Sequence, residues 1–128
     1  MSFVDKFNMT VKVLTEQLSI AVPHSIISNN KGYIFNLLDK HPNLLIDAFV
    51  IYVLKDKDMI DKEDDNYFMN KGYEDITKDD GHMIKKVFEF KNIWVKLSDR
   101  NRYVVKKYMK CLCKLAQDYF IENNSISM

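Results

Sequence analysis

The side chains that could ligate a metal or attack a carbonyl are few in this 128-residue chain, and they are scattered. Three histidines, His24, His41 and His82, lie far apart, and none has a second histidine or a cysteine at ligand spacing. A zinc site needs three or four such donors converging on one point. His41, beside Pro42, reads instead as a residue at a helix start. Cys111 and Cys113 are separated by one residue, which turns them about 200° apart on a helix. They are poorly placed to bridge each other and read as reduced thiols of an intracellular protein. Cys111 falls on the apolar face expected for its helix, so it reads as a buried structural thiol rather than a nucleophile. Gly32, Gly72 and Gly81 are isolated, which excludes a phosphate-cradling loop, and no serine sits at a nucleophile elbow. These residues point to a protein that is not an enzyme and that carries no metal or cofactor.

The carboxylates concentrate in the middle of the chain. Asp56 and Asp58 stand like the first and third ligands of a calcium loop. Ile60 and Lys62 then fall where oxygen ligands are required, Asp61 replaces the turn glycine and Tyr67 replaces the terminal glutamate. The calcium reading fails, and the segment reads as a solvated acidic connection. The net charge of +1 conceals this asymmetry: residues 1–54 are balanced, residues 55–80 are acidic and residues 81–128 are basic.

The basic end is the stronger lead. Arg100, Arg102, Lys106, Lys107, Lys110 and Lys114 fall within fifteen residues of one expected helix, with Lys106, Lys110 and Lys114 on one side. Such a ridge suits phosphates or an acidic partner. Lysine outnumbers arginine here, so any nucleic-acid contact would be electrostatic and sequence-independent. A solvated lysine face opposite the core is the plainer alternative. Trp94, Tyr103, Tyr108 and Tyr119 accompany this ridge as core aromatics or as interface anchors.

The elements that must position these residues are helical. Glycine and proline are scarce and 47% of the residues are apolar, which favours long helices. The first helix is expected over residues 2–18, with Val4, Phe7, Val11, Leu14 and Leu18 on one stripe and Ser2 as N-cap. Pro23 ends it, and residues 28–32 read as a turn. A short helix over 33–40 follows, with Ile34, Leu37 and Leu38 as its apolar side. Pro42 then opens a helix to about Leu54, although residues 49–53 are also β-prone. Residues 55–58 read as a solvated connection. Short helices are expected near 64–69 and from Met83 to about Phe90. Ser98 is the clearest cap, and the last helix should run to about Glu122 with Val104, Tyr108, Cys111, Leu112, Leu115 and Tyr119 inward and Ala116 as a further candidate. Residues 123–128 read as a frayed tail. The fold class expected is all-α: a compact irregular bundle of five or six helices forming one domain over residues 1–128. No apolar run is long enough to span a membrane, and no signal peptide is visible at the N-terminus.

Trp94, Leu97-Ser98, Asn101, Tyr108, Leu112 and Leu115-Ala116 form an ordered pattern that resembles small uncharacterised helical proteins of nucleocytoplasmic large DNA viruses (giant viruses). The resemblance covers residues 84–116 most clearly and departs at Lys106, where those proteins often have a second tryptophan. It implies a viral protein-protein interaction module, acting as a virion component or as an adaptor in the host cytoplasm, and it brings no catalytic residue. A protein partner is expected, with a homodimer as one arrangement. The alternative function is accessory nucleic-acid binding by the basic last helix.

Overall fold

The computed structural model describes residues 2–63 and 91–127, and every structural statement below concerns those residues. They form an all-α irregular bundle without strands.

Helix α1 spans Phe3–Ala21. Its N-cap is Ser2, whose Oγ accepts the Asp5 N–H at 3.1 Å, satisfying one of the donors a helix start leaves open. Phe7, Val11, Leu14 and Leu18 are buried, while Val4 packs at the edge of the core. The 3-4-3-4 spacing thus forms the expected stripe. The helix ends at Val22, and Pro23 passes the chain to His24, whose φ of 68° redirects it.

The segment expected as a turn is mostly helical. A single turn, α2 (Ile26–Asn29), leads directly into α3 (Lys31–Lys40), so Gly32 sits inside a helix. Ile34 and Leu38 are buried, and Leu37 is half-buried. His41 closes α3 rather than opening the next helix, and its N–H donates to the Leu37 carbonyl at 2.9 Å. Helix α4 (Leu44–Tyr52) starts two residues past Pro42, and residues 49–52 are helical rather than extended. Leu54–Asp56 form a 3₁₀ turn and α5 covers Lys57–Asp61, so the expected solvated connection is ordered helix with Ile60 buried.

Helix α6 (Lys91–Trp94) precedes the Ser98 cap. Ser98 Oγ accepts the Asn101 N–H at 3.2 Å, and α7 then runs over Asp99–Ser127. It continues five residues past the expected end at Glu122 and includes residues that were expected to fray. The helices expected near 64–69 and 83–90 lie outside the described residues.

Helix α7 is the central element, packing chiefly on α1 and also on α4 and α5. Phe7 and Phe49 meet edge to face at 5.1 Å in the core between α1 and α4. Nearby, Val11, Leu14, Leu18, Phe49, Met109 and Leu112 line part of an apolar cavity of about 30 Å³. The inward face of α7 is Val105, Met109, Leu112, Cys113 and Ala116. Of the expected face, Leu112 and Ala116 are buried, whereas Val104, Tyr108, Leu115 and Tyr119 flank the core half-buried and Cys111 faces solvent.

Candidate functional site

The register of α7 decides what its cations do. Arg100, Tyr103, Lys107 and Lys114 point outward with Cys111, while Arg102, Lys106 and Lys110 are half-buried. The outward residues recur every three or four positions and form one stripe.

Arg102 and Lys106 turn toward Trp94. The Arg102 guanidinium carbon lies 5.5 Å from the Trp94 ring centroid, and the Lys106 Nζ 5.9 Å. Arg102 Nε–H also donates to the Trp94 carbonyl oxygen at 3.0 Å. Trp94 is fully buried, so its ring anchors α6 against α7 and offers no surface to a partner. Two of the six candidate cations thus help hold the entry to α7.

Lys107 meets a carboxylate from another element. Its Nζ is 2.9 Å from Glu63 Oε1, just beyond α5, where Glu63 has a φ of 56°. The Lys107 hydrogen bond, with the added positive field of Lys110 and Lys106, holds the Glu63 carboxyl below its usual range against the opposing effect of burial. The same bond raises Lys107. Lys107 Nζ also stands 4.9 Å from the centroid of the Tyr103 ring, which is 58% exposed. Lys114 pairs with Asp118 one turn on, at 3.0 Å.

Tyr108 and Tyr119 serve as ties between helices. Tyr108 Oη accepts from Gln17 Nε2 at 3.1 Å, joining α7 to α1. Tyr119 Oη donates to Asp47 Oδ1 at 2.6 Å, joining α7 to α4. Tyr103 is thus the one aromatic among the four candidates whose ring is mainly exposed.

A second surface surrounds the Asp47–Tyr119 tie. Leu44, Asp47 and Ile51 share the outer face of α4, since residues three and four apart are helical neighbours. Leu44 and Ile51 are exposed, Ile51 by 64%. Beside Tyr119, Phe120 is 46% exposed although it continues the inward stripe four residues past Ala116. Ile121 is exposed as well, but two residues past Tyr119 it points about 200° away from the tie. The readable sequence signal for this surface was the apolarity of α4 on every side except Asp47, because a helix apolar all round is normally enclosed.

The remaining chemistry is dispersed. His24 and His41 are both exposed, and His82 lies outside the described residues. Asp61, from the rejected calcium loop, is paired with Lys57 within α5. Cys113 is buried beside this pair, and burial, reinforced by Asp61, pushes its thiol up to about 12. Among the described residues, no group of three or more His, Cys, Asp or Glu side chains is placed to hold a metal ion. No described helix is long and apolar enough to cross a membrane. A hollow of about 430 Å³ opens between α1 and α3, lined partly by Asn8, Met9, Leu38 and Pro42, with the Lys12–Asp39 ion pair at 2.6 Å beside it.

No protein family, curated protein or solved structure matches the chain. The likeness to proteins of large DNA viruses is corrected accordingly, since nothing links this chain to viruses or virions. The pattern that carried it has a local physical explanation. Trp94, Leu97, Leu112 and Ala116 are buried, and Ser98 caps α7. A buried residue ahead of a polar cap, followed by a helical stripe, is what any docked amphipathic helix requires.

Proposed function

We propose that the protein is a non-catalytic interaction module whose outer α4–α7 surface receives a basic amphipathic helix of a partner protein. The observation that carries this reading is the exposure of Leu44 and Ile51 on the outer face of α4 beside the Asp47–Tyr119 tie, with Phe120 exposed next to Tyr119 on α7. Exposed large apolar side chains concentrated in one region are characteristic of binding surfaces. The charge of the two contributing segments specifies the partner. Residues 43–54 carry Asp47 and no lysine or arginine, and in residues 115–128, which have no lysine or arginine, Glu122 adds a second carboxylate while Asp118 is paired with Lys114. An apolar surface whose ionisable groups are acidic favours a helix with apolar anchors at i, i+3 or i+4, and i+7, flanked by cations. The acidic rim would chiefly speed association and exclude acidic helices.

A labelled, designed leucine-lysine helix tests the reading by fluorescence anisotropy against the full chain. It should bind, while a peptide of the same composition with scrambled leucine spacing should bind at least tenfold more weakly. Ile51→Glu and Phe120→Glu should each remove the difference while leaving the helical circular dichroism unchanged. Equal binding of both peptides would discard the proposal. A concentration-dependent dimer abolished by Ile51→Glu would replace the partner helix with a second copy of the chain.

A further inference from the structure

The outward stripe of α7 is a separate surface with different chemistry. Arg100, Lys107 and Lys114 lie on it and the half-buried Lys110 borders it, across fifteen residues and a length of ~21 Å at helical rise. Tyr103 lies among them with an exposed ring and one cation, Lys107, against it. A plain solvated lysine face has no need of an exposed aromatic at its centre, since an exposed ring gains nothing from water. Sequence-tolerant single-strand binding uses this combination: cations along a backbone, and an aromatic face on which an unpaired base stacks. Duplex nucleic acid hides its base faces and would leave Tyr103 unused.

Glu63 supplies an independent observation. A carboxylate from outside α7 already occupies the point where Lys107 presents its ammonium, at 2.9 Å. Lys110 and Lys106 add their field at the same carboxylate. This part of the stripe therefore holds an anion in the folded chain, and a phosphate oxygen has the charge and hydrogen-bonding capacity to take its place. Glu63 reaches the position through a left-handed backbone conformation that is costly for a residue with a side chain.

We propose that this face binds single-stranded nucleic acid without regard to sequence: Tyr103 stacks on a base, Arg100, Lys107, Lys110 and Lys114 contact phosphates, and the Glu63 carboxylate holds the place of one phosphate until it is displaced. The inference goes beyond the helix-docking reading, uses different residues and stands or falls separately.

Binding of a fluorescein-labelled oligothymidylate of about twelve nucleotides to the full chain tests it. Four phosphate contacts predict that log K falls with log salt at a slope of about −3. Glu63→Gln, which removes the competing charge, should tighten binding several-fold at low salt. Tyr103→Ser should weaken it roughly tenfold or more while leaving the helical circular dichroism unchanged. A glutamate-rich peptide of equal charge should bind more weakly than the oligonucleotide and be indifferent to Tyr103→Ser. Absence of binding at low salt overturns the proposal. So does a duplex of equal length binding more tightly than the single strand, or a glutamate peptide that matches the oligonucleotide and tolerates Tyr103→Ser equally.

Discussion

Tyr119 donates its hydroxyl proton to Asp47 Oδ1 at 2.6 Å across 72 positions of sequence, and this bond ties the far half of α7 to the outer face of α4. Burial raises the Tyr119 phenol above its usual range, and the hydrogen bond to Asp47 and that carboxylate's charge raise it further. A folded-state pKa above the unfolded value means that the stabilisation is complete below the ordinary tyrosine range, near pH 10, and is lost as pH rises through the folded value.

Tyr119→Phe should therefore cost about 1 kcal/mol at neutral pH, the usual net worth of one intramolecular hydrogen bond. The difference from the unaltered chain should shrink as pH rises above the ordinary tyrosine range. Urea titrations at a series of pH values measure both effects. A pH-independent difference would mean that Tyr119 stabilises by ring packing and that the bond to Asp47 contributes nothing.

The two cysteines, alike in sequence context, are predicted to differ sharply in reactivity. Cys111 faces solvent, whereas Cys113 is fully buried with its thiol pushed up to about 12. At pH 8 a thiol with that pKa is ionised in roughly one molecule in ten thousand, and the thiolate is the reacting species. A chromogenic disulfide reagent should label one thiol rapidly in the native chain and the second only after denaturant is added. Cys111→Ala should remove the rapid phase. Two equally rapid thiols would show that α7 presents a different face to the core.

That last helix also marks how far the fold could be read from the residues. Ser2 and Ser98 announced their helices because a side-chain acceptor at a helix start is a local interaction that needs no tertiary context. The α1 stripe was legible because only one 3-4-3-4 path of apolar residues exists there. In α7 there are two. Val104, Tyr108, Cys111 and Leu115 are spaced 4-3-4, and so are Val105, Met109, Leu112 and Ala116, one residue later. Spacing cannot choose between them. Packing against α1, α4 and α5 on several sides selects the second path and leaves the first as its margin. The candidate cations were divided by the same choice. Arg102 and Lys106 went to Trp94, Lys110 stayed half-buried at the margin, and Arg100, Lys107 and Lys114 face outward. Glu63 could not be paired with Lys107 in advance because they meet only when α5 docks. The exposure of Leu44 and Ile51 depends on how many elements enclose α4, which its apolar sequence does not state.

Gly32 provides a test of the local backbone where sequence and structure differ most. Beside Ser28, Asn29 and Asn30 it reads as a turn glycine, a residue chosen for access to positive φ. In the structure it is the second residue of α3, and a Cβ built on it meets nothing within 4 Å. A glycine in an ordinary helical conformation gives the unfolded chain extra freedom and supplies no compensating contact. Gly32→Ala should raise stability by about 0.4–1 kcal/mol through the entropy of the unfolded state. The expected signs are a higher urea midpoint with an unchanged m value, because the buried surface is the same. A lower midpoint would place residue 32 in a turn that needs glycine. It would also break the start of α3, which brings Ile34 and Leu38 to the core.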